Sequence, residues 1–242
     1  MAALSINEIL LLCIGISGNA ILIIFHAVTL LAARHSHYKY VKEAIPLSFP
    51  CRNGKYLITD GGDGKMSSLI NYHYKASVHT SHQTQNSMRY AVDIVKLGRN
   101  LKTAKSILSK YNESYYIYGE KIYSPMRGKV IKVVDNIDDN PPFPEKMPYN
   151  VGNHVVINEG SYYLVLGHMQ KDGINAAVGD YIDRGQFLGY VGNSGLTPRS
   201  HIHMQVSKCD NNDYWSGEAI PIYFENNFIP VKNKVFNSIP IH

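Results

Sequence analysis

NHVVINEGSYYLVLGHM (residues 153–169) is a run of apolar and β-branched residues broken once, around Glu159-Gly160. Two such runs joined by a tight Gly-containing turn read as a β-hairpin. The pattern predicts a strand from Asn153, a turn, and a second strand ending at His168. To either side, IYSPMRGKVIKV (122–133) gives strands around a Pro-x-x-Gly turn, and AAVGDYIDRGQFLGYVGNSG (176–195) gives short strands cornered by glycine. RYAVDIVKL (89–97) reads as a further strand and KYLITDGGDGKMSSLINYHY (55–74) as two strands about a Gly-Asp turn. KTAKSILSKYN (102–112) reads as one short helix, whereas ASVHTSHQTQNS (76–87) and the proline-rich NIDDNPPFPEKMPYNVG (136–152) read as loops. The expected fold class is mainly β, built of antiparallel sheets, with no internal repeat.

The chain has 242 residues, enough for one substantial domain with attachments, and its 45% hydrophobic and 18% charged content is that of a globular protein. A net charge of +5 favours an anionic neighbour, such as a cell wall or a membrane surface. No long Lys/Arg block and no RNA-binding aromatic motif occurs, so no nucleic-acid partner is expected. Three cysteines form no Cys-x-x-Cys pair. Cys51 and Cys209 flank the main body and suit either one disulfide in an exported protein or two unrelated thiols; spacing leaves both open.

ILLLCIGISGNAILIIFHAVTLLAA (9–33) contains no formally charged residue. As a helix it would reach about 37 Å, more than the ~30 Å hydrocarbon core of a bilayer. A buried helix is one competing reading; a signal peptide fits less well, because no basic segment precedes the run. The organisation expected is an N-terminal transmembrane anchor (1–34), a linker (35–54), a β domain (55–210) and a C-terminal extension (211–242). Arg34, Lys39 and Lys42 follow the span and Glu8 precedes it, a bias that points the body towards the cytoplasm.

In TPRSHIHMQVS (197–207), side chains alternate faces along a strand, so His201 and His203 point to one side. Asp93 sits inside the apolar YAVDIV, where an unpaired carboxylate is costly to bury. An ion pair with Arg89, four residues earlier, would account for it, and so would a divalent cation. His168 closes another apolar strand, with a satisfied core histidine as the plain alternative. One carboxylate and two imidazoles suit a catalytic zinc with a position open to water. The chain has no His-Glu-x-x-His, so strands rather than a helix would hold such a metal.

YAVDI (90–94), IYSPMRGKVIKV, GNHVVIN (152–158), LGHM (166–169), VGDYIDRGQFLGYVGNSG (178–195) and HIHMQV (201–206) occur in an order that resembles the lysostaphin-type (LytM-like) zinc endopeptidases of peptidoglycan. The resemblance covers roughly residues 55–207 and is most specific at the His-x-His after the Gly-Asn-Ser-Gly segment. It implies Zn2+ on Asp93 and His203, catalytic roles for His168 and His201, and a peptidoglycan peptide as substrate. It further implies a domain outside the cytoplasm, periplasmic or extracellular, against the charge bias of the span. Two departures stand out. The family's first motif is His-x-x-x-Asp, and here Arg89 holds the His position; arginine stays protonated and cannot ligate. His73, in the LINYHY segment (69–74), which resembles the Asn-x-His-Tyr element of members whose first motif reads Tyr-Ala-x-Asp, is the expected replacement, with His79 and His82 behind it. Arg199 and Ser200 also intervene between Pro198 and the His-x-His pair.

Two other classes fit less of the sequence. A LytM-like module without activity, serving as a binding or activator partner of other wall hydrolases, fits Arg89 but not the retention of Asp93, His168, His201 and His203. A biotinyl/lipoyl-type carrier fits SPMRGKVIKV and VGDYIDRGQFLG, yet the connecting hairpin offers no Met-Lys-Met-like tip.

Overall fold

The structure is a computed structural model that describes residues 6–40, 44–65, 69–74, 87–106, 109–148, 151–210 and 212–238. Helix α1 (Ile6–Tyr40) comes first, followed by the strands β1 (Ile45–Pro46), β2 (Gly54–Asp60), β3 (Val92–Leu97), β4 (Lys121–Tyr123), β5 (Gly128–Val134), β6 (Asn153–Glu159), β7 (Tyr162–Ile174), β8 (Tyr181–Ile182), β9 (Phe187–Val191), β10 (Ile202–Lys208), β11 (Glu218–Ala219), β12 (Ile222–Tyr223) and β13 (Val235–Ser238). The main sheet is antiparallel and runs β13-β2-β3-β10-β7-β6-β5-β8, with β11 on β10 and β9 bridging β4 and β7. The mainly β, antiparallel expectation therefore holds, and the β6–β7 hairpin turns at Gly160-Ser161.

Alternation along the strands separates two faces. Ile202, Met204 and Val206 of β10, Leu164 and Leu166 of β7, Val155 and Ile157 of β6, and Val92 and Ile94 of β3 enter one buried cluster. The intervening residues, including Asp93, His203 and Gln205, necessarily face the other way. The core thus fixes the face on which the polar side chains gather.

Three expectations are corrected. The chain does not form a second strand before Tyr74: residues 72–74 are a helical turn, because the Asn71 side chain accepts the His73 N–H at 3.1 Å and bends the backbone. The described part of 102–112 forms no α-helix, only the start of a 3-10 turn at Asn112–Ser114; Ala104 bridges to Tyr115 instead, and Ser109 bonds locally around Tyr111. The supposed linker and extension are built into the body. Leu47, Phe49 and Cys51 share the core with Ile222, Phe224 and Phe236, β1 pairs with β12, and β13 adds to β2. Sequence periodicity over two to four residues is too short to reveal such strands.

Cys51 is a free thiol buried in the core, and Cys209 packs against a separate apolar cluster around Tyr163 and Val165. Within α1, Gly15–His35 is long and apolar enough to cross a membrane. Its polar side chains fold back on the helix: Asn19 donates to the Gly15 carbonyl, Thr29 to that of Phe25, and His26 Nδ1 meets that of Leu22.

Phe49 stacks on Phe236 with centroids 4.3 Å apart and meets Phe224 and Tyr56 at 5.0 and 5.1 Å. Phe49→Ala should therefore lower stability by about 3 kcal/mol, the usual cost of emptying a buried aromatic site. Chemical denaturation measures this; a solvated linker residue would leave the midpoint unchanged.

Candidate active site

Asp93 and His203 are direct cross-strand partners in the β3–β10 pair. His203 Nδ1 lies 3.1 Å from Asp93 Oδ1, and His73 Nε2 lies 3.6 Å from Asp93 Oδ2. His201, just before β10, brings its Nε2 to 3.5 Å from Asp93 Oδ1. His168 joins from β7, with ring centroids 4.7 Å from His201 and 5.7 Å from His203. All five residues singled out in the sequence meet in one place. His79 and His82 lie outside the described residues.

A backbone irregularity supplies His168. The register of β6 against β7 shifts between Asn153/Met169 and Val155/Leu166, a bulge that turns His168 to φ 58°. Such a conformation costs a non-glycine residue about 1–3 kcal/mol and re-aims its side chain. Gly167, just before it, has no room for a side chain, since a Cβ there would collide with Val151. The bulge is held by His168 N–H donating to Val151 and by the His168 carbonyl accepting from Gly192.

The outer nitrogen of each ring has a fixed partner. His168 Nδ1 donates to the Ser194 carbonyl at 2.7 Å and His201 Nδ1 to that of Arg199 at 3.0 Å. His73 Nδ1 lies 3.0 Å from Asn71 Oδ1, whose amide nitrogen faces the Gly62 and Ala91 carbonyls. A carbonyl oxygen only accepts, so these three rings carry hydrogen on Nδ1; His73 and His168 present a bare Nε2, whereas His201 Nε2 faces Asp93, which favours a proton there. His203 is reversed: Nε2 meets Gln205 Oε1 at 3.0 Å, the Gln205 amide donates to Ser87 Oγ, and Nδ1 faces Asp93. Bare imidazole nitrogens aimed at a carboxylate leave a net demand for a cation.

The electrostatics agree. Burial pushes the His73 pKa down to about 4, against the pull of Asp93. Burial, with His201 and His203 nearby, holds His168 well below the usual histidine range. Burial also disfavours the charge on Asp93, but His73, His201 and His203 outweigh it and keep the carboxyl ionised. For His201 burial acts downward, and the charge and hydrogen bond of Asp93 reverse it to give a net rise.

The donor set fits a zinc ion. The ligating atoms of His73, Asp93 and His203 lie within 4.8 Å of one another, and their side chains are all close to fully buried. Two neutral imidazoles and one carboxylate are a catalytic-zinc donor set, which needs neighbouring donors about 3.3 Å apart. Arg89 is not among these donors and pairs with Asp63 rather than Asp93. Its guanidinium holds Asp63 at 3.2 Å and lies over the Tyr90 and Tyr74 rings. Sequence reading gave no orienting role to the partners that hold the rings, Asn71, Gln205 with Ser87, and the Ser194 carbonyl. Asn71 was visible beside His73, but an acceptor carbonyl has no sequence signature.

Residues 115–216 match the sequence model of Peptidase family M23. That stretch includes His168, His201 and His203; His73 and Asp93 precede it. No curated protein matches the chain. Among solved structures, lysostaphin aligns at 20% identity over 50% of this chain and 38% of its own length, with a TM-score of 0.31. A zinc-containing peptidase from Vibrio cholerae aligns at 20% identity over 48% of this chain and 46% of its own, with a TM-score of 0.29. The SpoIIIAH–SpoIIQ complex aligns at 12% identity over 72% and 94%, with a TM-score of 0.42.

In the metal-free protein the unfolded chain protonates its histidines near pH 6.5, whereas folded His73 resists until about 4. The unfolded state then binds more protons, so stability should fall as the pH drops through that window, with His168 adding to the loss and His201 opposing it. Denaturation midpoints of metal-free protein between pH 7 and 4 measure the slope, which His73→Gln should flatten.

Proposed function

We propose that this chain, which carries a LytM-like domain of Peptidase family M23 over residues 115–216, is a zinc-dependent endopeptidase that hydrolyses amide bonds in peptidoglycan peptides. The observation that carries this reading is the convergence of His73, Asp93 and His203 on one point, with two further histidines beside it that the ligand set leaves over. His73 through Nε2, His203 through Nδ1 and Asp93 through its carboxylate would hold the metal. Zinc bound there supplies Lewis acidity to a scissile carbonyl and lowers the pKa of a water.

The remaining steps belong to the protein. His168 is neutral, and its Nδ1–H is anchored on Ser194, so its bare Nε2 suits it to accept a proton from water. His201, favoured as imidazolium by Asp93, is placed to offer an N–H to the oxyanion and then a proton to the leaving amine. The carbonyls of Ser194 and Arg199 keep both rings oriented throughout. Helix α1 would tether the domain to a membrane, with the β body on the wall side, periplasmic or extracellular.

Arg89, at the family's first ligand position, favours a second reading, an inactive module that binds or activates other wall hydrolases. A bound zinc and a turnover that depends on His168 separate the two. His203→Ala should abolish both zinc uptake and hydrolysis of peptidoglycan fragments. His168→Ala should retain zinc and lose about 10²–10⁴ in rate. Wild-type turnover in His168→Ala would refute the mechanism, and zinc without turnover on any wall peptide would favour the module.

A further inference from the structure

We propose that Asn71 and Arg89 are positioning residues that fix His73 relative to Asp93, an inference that rests on the metal-site reading above. Asn71 is completely buried. Its amide nitrogen lies 2.9 Å from the Gly62 carbonyl, 3.0 Å from that of Ala91 and 3.3 Å from that of Arg89. With three acceptors on that side, the amide has one orientation, and Oδ1 points the opposite way. There it accepts the His73 backbone N–H at 3.1 Å and ring Nδ1–H at 3.0 Å. One side chain therefore grips the backbone two residues before Asp93 and, at its other end, sets the ring plane and tautomer of His73. A ligand whose second nitrogen is held in this way has its bare nitrogen aimed before any metal arrives.

Arg89 closes the same device from outside. Its guanidinium holds Asp63, which also accepts the Lys65 N–H at 3.1 Å, so the Gly61–Lys65 loop is drawn over Asn71. That loop supplies the Gly62 carbonyl on which Asn71 rests. It packs so closely that a Cβ on Gly64 would lie 2.6 Å from the Asn71 carbonyl oxygen. Asp60 anchors the adjoining Tyr72 N–H at 3.1 Å and is itself met by Lys232 at 3.4 Å. The arginine at the vacated ligand position thus serves the ligand that replaces it. One guanidinium nitrogen, Nη2, reaches both Asp63 oxygens, at 3.2 and 3.4 Å, while the planar group lies over the Tyr90 ring; a lysine there would keep the charge and lose the plane.

The test uses the full chain in detergent micelles with two readouts. One is zinc affinity by competition with a chromophoric chelator; the other is the nitrogen-15 spectrum of the histidine rings in metal-free protein. Asn71→Ala should weaken zinc about 10–100-fold and turn His73 from a single Nδ1–H tautomer into a mixture. Asn71→Asp, which keeps the acceptor but loses the donors, should retain the tautomer and still weaken zinc. Arg89→Ala should weaken zinc by about 10-fold, with partial recovery in Arg89→Lys. Unchanged affinity and tautomer in Asn71→Ala and Arg89→Ala would overturn the inference. Should wild-type protein take up no zinc, the metal-site reading fails by itself and the tautomer still decides: a single form lost in Asn71→Ala upholds the positioning role, and a mixture in wild type overturns it.

Discussion

The cross-strand pairing of Asp93 with His203 is the contact on which the rest of the site depends. Neither residue could choose its face alone. Val92 and Ile94 on one strand and Ile202, Met204 and Val206 on the other are buried, and they fix the register. A slip of one residue would send the apolar side chains to the open face and the polar ones into the core, so the slip is forbidden by the cost of both. The hydrophobic core thereby delivers a carboxylate and an imidazole to each other at 3.1 Å without any contact between them having to drive folding.

Around that pair, backbone carbonyls and amides do most of the orienting. Ser194 and Arg199 aim His168 and His201, Asn71 aims His73, and Gln205 backs His203. The Gly-Asn-Ser-Gly turn contributes beyond its one carbonyl. Asn193 binds the 112–140 region through Asn112 and Asn140 and meets Thr197, which in turn contacts His201 Nδ1 at 3.1 Å. Tyr118 and the Asn193 N–H both rest on Asp139, so the turn is fixed from below as well. Side chains held in this way lose little freedom when a ligand binds, which is the basis of preorganisation.

Much of this was legible in the sequence, for identifiable reasons. Period-2 alternation placed β3, β6, β7 and β10, and the cost of a carboxylate in YAVDIV singled out Asp93 before any geometry was known. His73 was reachable only through the resemblance and was expected on a strand; it sits on a helical turn made by the side chain of Asn71. The His168 bulge was not legible, because nothing in LGHM distinguishes a strand that ends from one that kinks and continues to Ile174. Nor were β1, β12 and β13, whose few residues gain their place from the aromatic cluster of Phe49, Phe224 and Phe236 rather than from local pattern.

The central claim is a metal held by two histidines and one aspartate, and zinc K-edge X-ray absorption on the zinc-loaded chain tests it most directly. The account predicts one zinc per chain with two imidazole rings and oxygen donors at about 2.0–2.2 Å, falling to one ring in His73→Ala. A first shell with three rings or with sulfur, or an imidazole count unchanged in His73→Ala, would contradict it.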